Sequence, residues 1–279
     1  MNNLPFSKWH GSGNDFVIVD AWATDFNLDY TALARSICDL HQGVGADGLL
    51  LLSHSSSADL RMQMWNPDGS LSEMCGNGLR CLALFAKERG YTSDEFTVET
   101  DAGPRKCLIV GDSVQADMGP AGMRRGEIGM TGDPQLTFID QELEGYKATA
   151  VSMGNPHLVL FVDDVHKVDL RHIGAHFEHH PLFPNRVNVH FANVVDSSHL
   201  EVVHWERGAG ATLACGTGVC AVAVAGFATQ RAEPNVSVKA PGGQLQVSIQ
   251  TGMRVQMTGP ARKVFEGSWP LGSSTQVVV

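Results

Sequence analysis

The chain has 279 residues, of which 43% are hydrophobic and 18% charged, and a formal charge of -10. That length suits two medium domains with cores of their own. The acidic balance disfavours nucleic-acid backbones and anionic membrane surfaces as partners. No apolar run of about eighteen residues and no charged-then-apolar leader pattern occurs, so a cytoplasmic protein is expected, its six cysteines being reduced thiols rather than a disulfide framework.

In chain order, residues 16–19 read as a strand, 30–39 as an amphipathic helix and 49–52 as a strand. Between the last two, Gly43, Gly45 and Gly48 formally fit a dinucleotide-binding glycine motif. A helix precedes it and a strand follows, the reverse of the order such a motif needs, so nucleotide binding is not expected. Residues 60–65 alternate as a strand, Asn66-Pro67-Asp68-Gly69 has turn composition, and Cys75-Gly76-Asn77-Gly78 leads into a helix carried by Leu79, Leu82, Ala83, Phe85 and Ala86 and stopped at Gly90.

Strands follow at 96–99 and 113–118, and the Gly- and Met-rich stretch 120–133 reads as a linker. Beyond it come a strand at 158–162, a solvated segment with His172, His176, His179 and His180, and strands at 188–195 and 200–205. Arg207-Gly208-Ala209-Gly210 is a turn, Cys215-Gly216-Thr217-Gly218 a second glycine motif, and 219–229 a helix with almost no polar face. A helix apolar all round is a buried one, so each motif helix should run through the middle of its half, wrapped by strands. The remaining strands are expected at 236–240, 244–250 and 254–258, with 267–279 returning to pair with the first half.

The motif Cys-Gly-x-Gly thus occurs twice, 140 residues apart, half the length of the chain. At that shift Trp65 meets Trp205, Val98 meets Val238, Gly103 meets Gly243, and Gly119-Pro120-Ala121 meets Gly259-Pro260-Ala261; at a shift of 141, Gly13-Asn14 meets Gly154-Asn155. The match marks an internal duplication into halves 1–119, joined by 265–279, and 120–264. Two such halves folded face to face would present one cysteine each to a shared cleft.

A cysteine just ahead of a helix lies among unpaired backbone N–H groups and a partial positive charge, which favour a thiolate and bind carboxylates. Gly76, Gly78, Gly216 and Gly218 would let the backbone approach an anion closely. Two such cysteines suit a two-base racemase: one thiolate removes an α-proton and the other thiol returns a proton to the opposite face, with no cofactor needed in principle. Cys81 and Cys220, at helical positions, and Cys38 and Cys107, outside any motif, read as core thiols. No zinc spacing links the six cysteines, and no metal is expected at the four clustered histidines.

Asn66 to Ser70 followed by Met74 to Cys81 resembles the first signature of the diaminopimelate epimerase family, and Glu206 to Gly210 followed by Ala214 to Gly218 the second. Lys8 with His10 to Phe16, Ser152 to His157, and Asn185 to Asn188 extend the resemblance over nearly the whole chain. It implies an α/β (α+β) fold of two pseudo-symmetric domains, each a curved, mostly antiparallel sheet wrapped around a central helix, with the active site between them. It implies a homodimer and cofactor-independent epimerisation of LL-2,6-diaminopimelate to the meso form. Cys75 and Cys215 would transfer the protons, and Gly76, Asn77, Gly216 and Thr217 would hold the reacting carboxylate. Asn14, Asn66, Asn155, Asn188, Glu206 and Arg207 would contact the substrate, the arginine and asparagines reading its distal end, while His157 and Glu206 would tune the thiols. Gly48 and Ala211 depart from the family's commonest residues, Gln and Glu. Two competing readings are a proline-, hydroxyproline- or histidine-type racemase on the same scaffold and a non-catalytic thiol/disulfide module.

Overall fold

The computed structural model describes residues 3–22, 24 and 26–271. It divides into two compact units, Met1–Ala116 with Gly259–Val279, and Asp117–Thr258. The α-helices among the described residues are α1 (Tyr30–Ile37), α2 (Gly76–Glu88), α3 (Arg125–Ile128), α4 (Leu170–Glu178) and α5 (Gly216–Ala228).

In the first unit the ladder begins with Arg262–Pro270 beside Asn3–Gly11, and continues through Asn14–Asp20, Gly48–Ser53, Leu60–Trp65, Glu95–Glu99 and Arg105–Val110 to residues 113–116. All pairs are antiparallel except 14–20 with 48–53 and 60–65 with 95–99. A parallel pair needs a long crossover, and α1 and α2 supply the two. The return of the chain therefore starts at Gly259, ahead of the expected 265. Its pairing is seen through Pro270, and the part at 272–279 lies outside the described residues.

The second unit repeats this plan. Gln141–Leu143 pairs with Tyr146–Ser152, then follow Pro156–Phe161, Asn188–Asp196, His199–Glu206, Asn235–Ala240, Gly243–Gln250 and 254–258. Again two pairs are parallel, 156–161 with 188–196 and 199–206 with 235–240, and their crossovers hold α4 and α5. The segment read as solvated and histidine-rich is thus helix α4, capped by Asp169, whose side chain accepts the His172 N–H. Asp29 caps α1 in the same way. The stretch read as a linker contains α3, started by a reciprocal pair in which Glu127 accepts the Arg124 N–H.

The middle strands of each unit are buried on both faces. In the first unit Leu49 and Leu51 pack with Leu33 and Ile37 of α1, while Leu50, pointing the other way by the two-residue period of a strand, lies against Gly78 of α2. In the second, Val189 and Phe191 join Phe177 of α4, and His190 lies against Gly218 of α5. The helices α2 and α5 contact strands of their own unit on several sides and are themselves largely buried. The structure bears out the α/β class with strands wrapped around a central helix in each half.

Candidate active site

Both motif cysteines are N-cap residues. Cys75 (φ -135°, ψ 118°) caps α2 and Cys215 (φ -135°, ψ 105°) caps α5, each extended and just ahead of the helical glycines. The caps follow from sequence: a short strand, Leu71–Ser72 or Gly210–Thr212, runs antiparallel to the preceding long strand and delivers the chain to the helix start.

In the first unit Cys75 is half-buried, and its Sγ accepts the Gly78 N–H at 3.4 Å. Asn77 Nδ2 donates to Asn14 Oδ1 at 2.6 Å, and Asn14 Nδ2 donates to Asp47 Oδ2 at 3.1 Å. Behind them Arg80, fully buried, donates to Asn77 Oδ1 at 2.7 Å, Ser12 Oγ at 3.1 Å and the Gly76 carbonyl at 3.2 Å. This order of donors sets which way both amides point. Ser12 (φ 51°) and Gly13 (φ 92°) form the two-residue turn that brings Asn14 back beside the helix, a backbone that glycine adopts without strain. Asn66 stands apart from this cluster, bonded to Ser70 Oγ at 3.0 Å within its own turn.

In the second unit Cys215 is 5% exposed. Burial pushes its thiol well above the ordinary range, and the Glu206 carboxylate beside it adds to the rise through its charge and a hydrogen bond. Thr217 Oγ1 lies 3.7 Å from the sulfur. Asn188 laces two loops together: its Nδ2 donates to the Pro156 carbonyl at 2.9 Å and its Oδ1 accepts the Arg207 N–H at 3.0 Å. The exposed Arg207 side chain donates to the Asn185 carbonyl at 3.2 Å. His157 is fully buried, its Nε2 2.8 Å from Asn155 Oδ1 and its Nδ1 2.8 Å from His190 Nε2. Both ring nitrogens are therefore engaged. Burial, with lesser contributions from His204 and Arg207, lowers its pKa to about 3.

Residues without a role on sequence grounds support these groups. Arg80 lay inside the first motif, yet only the fold aims it at Asn77. Glu178, on the overlooked α4, accepts Trp205 Nε1 at 2.7 Å, the Gly208 N–H at 2.9 Å and Arg186 at 3.2 Å, pinning the Glu206–Arg207 turn. Burial works upward on this carboxyl, but the donors from Trp205 and Gly208 outweigh it and hold the group low. The duplication was the available signal for α4, since 30–37 shifted by 140 falls on 170–177.

At the two unusual positions, a Cβ on Gly48 would meet Met64 Cε at 2.9 Å and the Trp65 carbonyl at 3.1 Å, so Met64 occupies the room a larger residue would take. Ala211 is exposed on Gly210–Thr212, opposite Trp205. The stretch Gly43–Gly48 closes α1 through bonds to the Asp39 and Ile37 carbonyls and feeds the next strand. No group of His, Cys, Asp or Glu among the described residues is arranged to hold a metal ion, and no described helix is long and apolar enough to cross a membrane.

Solved structures share the fold. A phenazine biosynthesis protein of the PhzF family from Bacillus anthracis superposes with a TM-score of 0.72 at 16% identity, covering 97% of this chain and 100% of that one. A hydroxyproline epimerase from Agrobacterium vitis gives 0.68 at 17%, covering 96% and 91%. Sequence relatives are far nearer. The diaminopimelate epimerase of Desulforudis audaxviator is 47% identical over 276 residues, 95% of this chain and 99% of its own length, and that of Moorella thermoacetica is 47% identical over 278 residues, 96% and 100%. The sequence profile of the family matches residues 6–124 and 149–264, and the chain belongs to the diaminopimelate epimerase family.

Proposed function

We propose that this protein interconverts LL-2,6-diaminopimelate and meso-2,6-diaminopimelate, serving lysine and peptidoglycan-precursor synthesis, with Cys75 and Cys215 as its acid–base pair. One observation carries the cysteine assignment. Each unit of the duplicated fold places a cysteine at the N-cap of its central helix, a position whose backbone N–H groups favour both a bound carboxylate and a thiolate.

In this reading a thiolate removes the α-proton, and the electron pair is delocalised into the adjacent carboxylate. The other cysteine, as a thiol, delivers its proton to the opposite face of the same carbon. In the resting protein Cys215 is the protonated partner, because burial and Glu206 both disfavour its charge. Gly76, Asn77, Gly216 and Thr217 hold the reacting carboxylate, whose extra charge the two helix ends offset. Asn14, Asn66, Asn155, Asn188 and Arg207 orient the distal amino-acid end, with the guanidinium as carboxylate fork. His157 acts through Asn155 rather than on a thiol directly, since both its ring nitrogens are taken. The resemblance further supports a cytoplasmic homodimer that needs no cofactor.

An inversion assay with the reduced protein on LL-diaminopimelate, proline, trans-4-hydroxyproline and histidine tests the substrate. Inversion of diaminopimelate alone is expected. Turnover of proline or hydroxyproline without diaminopimelate would overturn it.

A further inference from the structure

Three fully buried histidines form a chain in the second unit: His157 Nδ1 is 2.8 Å from His190 Nε2, and His190 Nδ1 is 2.9 Å from His204 Nδ1. It begins at Asn155 Oδ1 and ends at His204 Nε2, a buried ring nitrogen without a hydrogen-bond partner among the described residues. Three imidazoles in a dry core are costly to desolvate. The duplication shows that the scaffold does not need them.

By register, the matched residues of the first unit are Phe16, Leu50 and Met64. Asn14–Asp20 and Gly48–Ser53 run parallel as Pro156–Phe161 and Asn188–Asp196 do, and Leu50 faces Met64 as His190 faces His204. Those three are also buried, at 1%, 0% and 6% exposure, and fill the same space with hydrocarbon and sulfur. At these three positions polar atoms thus stand in one half alone, in a line that leads to a single amide.

We propose that His157, His190 and His204 are positioning residues that lock the Asn155 amide with its Nδ2 edge turned to the substrate. Because Asn155 Oδ1 can only accept, His157 carries its proton on Nε2 and accepts at Nδ1. His190 then carries its proton on Nε2 and accepts at Nδ1, and His204 donates from Nδ1. Each tautomer is dictated by the next. Reversing the chain would turn Asn155 around and offer a carboxylate an oxygen instead of a donor. The proposal rests on reading Asn155 as a substrate ligand.

Long-range nitrogen–proton NMR of the ring nitrogens in the labelled, full-length protein tests the chain without any assay. Neutral Nε2–H forms of His157 and His190 and a neutral Nδ1–H form of His204 at neutral pH are expected. An Nδ1–H or charged His157 would overturn the proposal, and the wild-type spectrum decides this even if variants fold poorly. Next, His190→Leu places the first unit's own residue at that site. It should raise KM for LL-diaminopimelate by about ten-fold, the loss of one aligned hydrogen bond, with kcat changed less, and should mix the His157 tautomers. His190→Gln, which keeps a donor toward His157, should restore most of KM. Unchanged KM and tautomers in His190→Leu would overturn the proposal. If the wild type fails to invert diaminopimelate while the tautomers are as expected, the substrate reading fails and the chain stands.

Discussion

Cys75 and Cys215 cap equivalent helices in unlike surroundings. Cys75 is half-buried and accepts a backbone N–H, whereas Cys215 is buried beside a carboxylate. Part of the difference traces to one diverged position, since Asn66 in the first half corresponds to Glu206 in the second, and burial of Cys215 is the larger part. Glu206 adds to the rise that disfavours the Cys215 thiolate, and in the proposed mechanism it would receive the proton when that cysteine acts as a base. In Glu206→Gln the carboxylate's share of the upward shift is removed and that of burial stays. The pH profile of Cys215 alkylation should therefore move to lower pH, while inversion falls on the order of a hundred-fold. An unmoved alkylation profile would separate Glu206 from the thiol. The cysteines were legible from sequence because they sit in a repeated motif. Arg80 and His190 were not, since nothing in a linear reading says that Arg80 reaches Ser12 or that residues 157, 190 and 204, on three neighbouring strands, share one face of the sheet.

At the level of elements, α2 and α5 are one device built twice, and their glycines differ in how tightly they are held. A Cβ on Gly218 would lie 2.5 Å from His190 Cε1, against a ring fixed by hydrogen bonds at both nitrogens. A Cβ on Gly78 would meet a terminal methyl of Leu50 at 3.2 Å, which can give by a few tenths of an ångström. Gly218→Ala should therefore destabilise the protein by about 1–3 kcal/mol through overpacking, despite alanine's better helix propensity. Gly78→Ala should stay within about 1 kcal/mol. Urea midpoints compare the two, and equal midpoints would contradict this packing. The long strands and motif helices could be read from alternation and apolar runs. Strands 3–11 and 105–110 and helix α4 were missed because polar, Lys- or His-bearing positions blur the period, and strand 146–152, largely buried, because its run of Ala, Thr and Ser is weakly apolar. The parallel pairs that demand α4 became visible only in the ladder.

For the molecule as a whole, the duplication accounts for the repeated plan of its two units, and histidines present in the second unit alone account for the expected acid response. His157 and His204 have pKa values lowered to about 3 from 6.5, and burial pushes His190 well below 6.5 too. Above pH 6.5 these rings are neutral in both states and stability is intact. Below it the unfolded chain takes up protons that the folded chain refuses, so stability is lost from about 6.5 toward 3, at about 1.4 kcal/mol per pH unit for each ring. Unfolding followed between pH 7 and 4 should show this slope, and the double variant His190→Leu with His204→Met should flatten it. An equally steep loss in the variant would place the acid sensitivity elsewhere. The two-part plan and the cysteine pair were readable from the spacing of one motif, while the inward-facing chemistry of each half depended on strand register. The most direct measurement on the cysteine pair follows α-deuterium entry from D2O into the LL and meso isomers with Cys75→Ala and Cys215→Ala separately. Two-base chemistry requires that both variants lose inversion and that each still exchanges the α-proton of one isomer, the opposite one in each. Inversion persisting at the wild-type rate in either variant would contradict the assignment of Cys75 and Cys215.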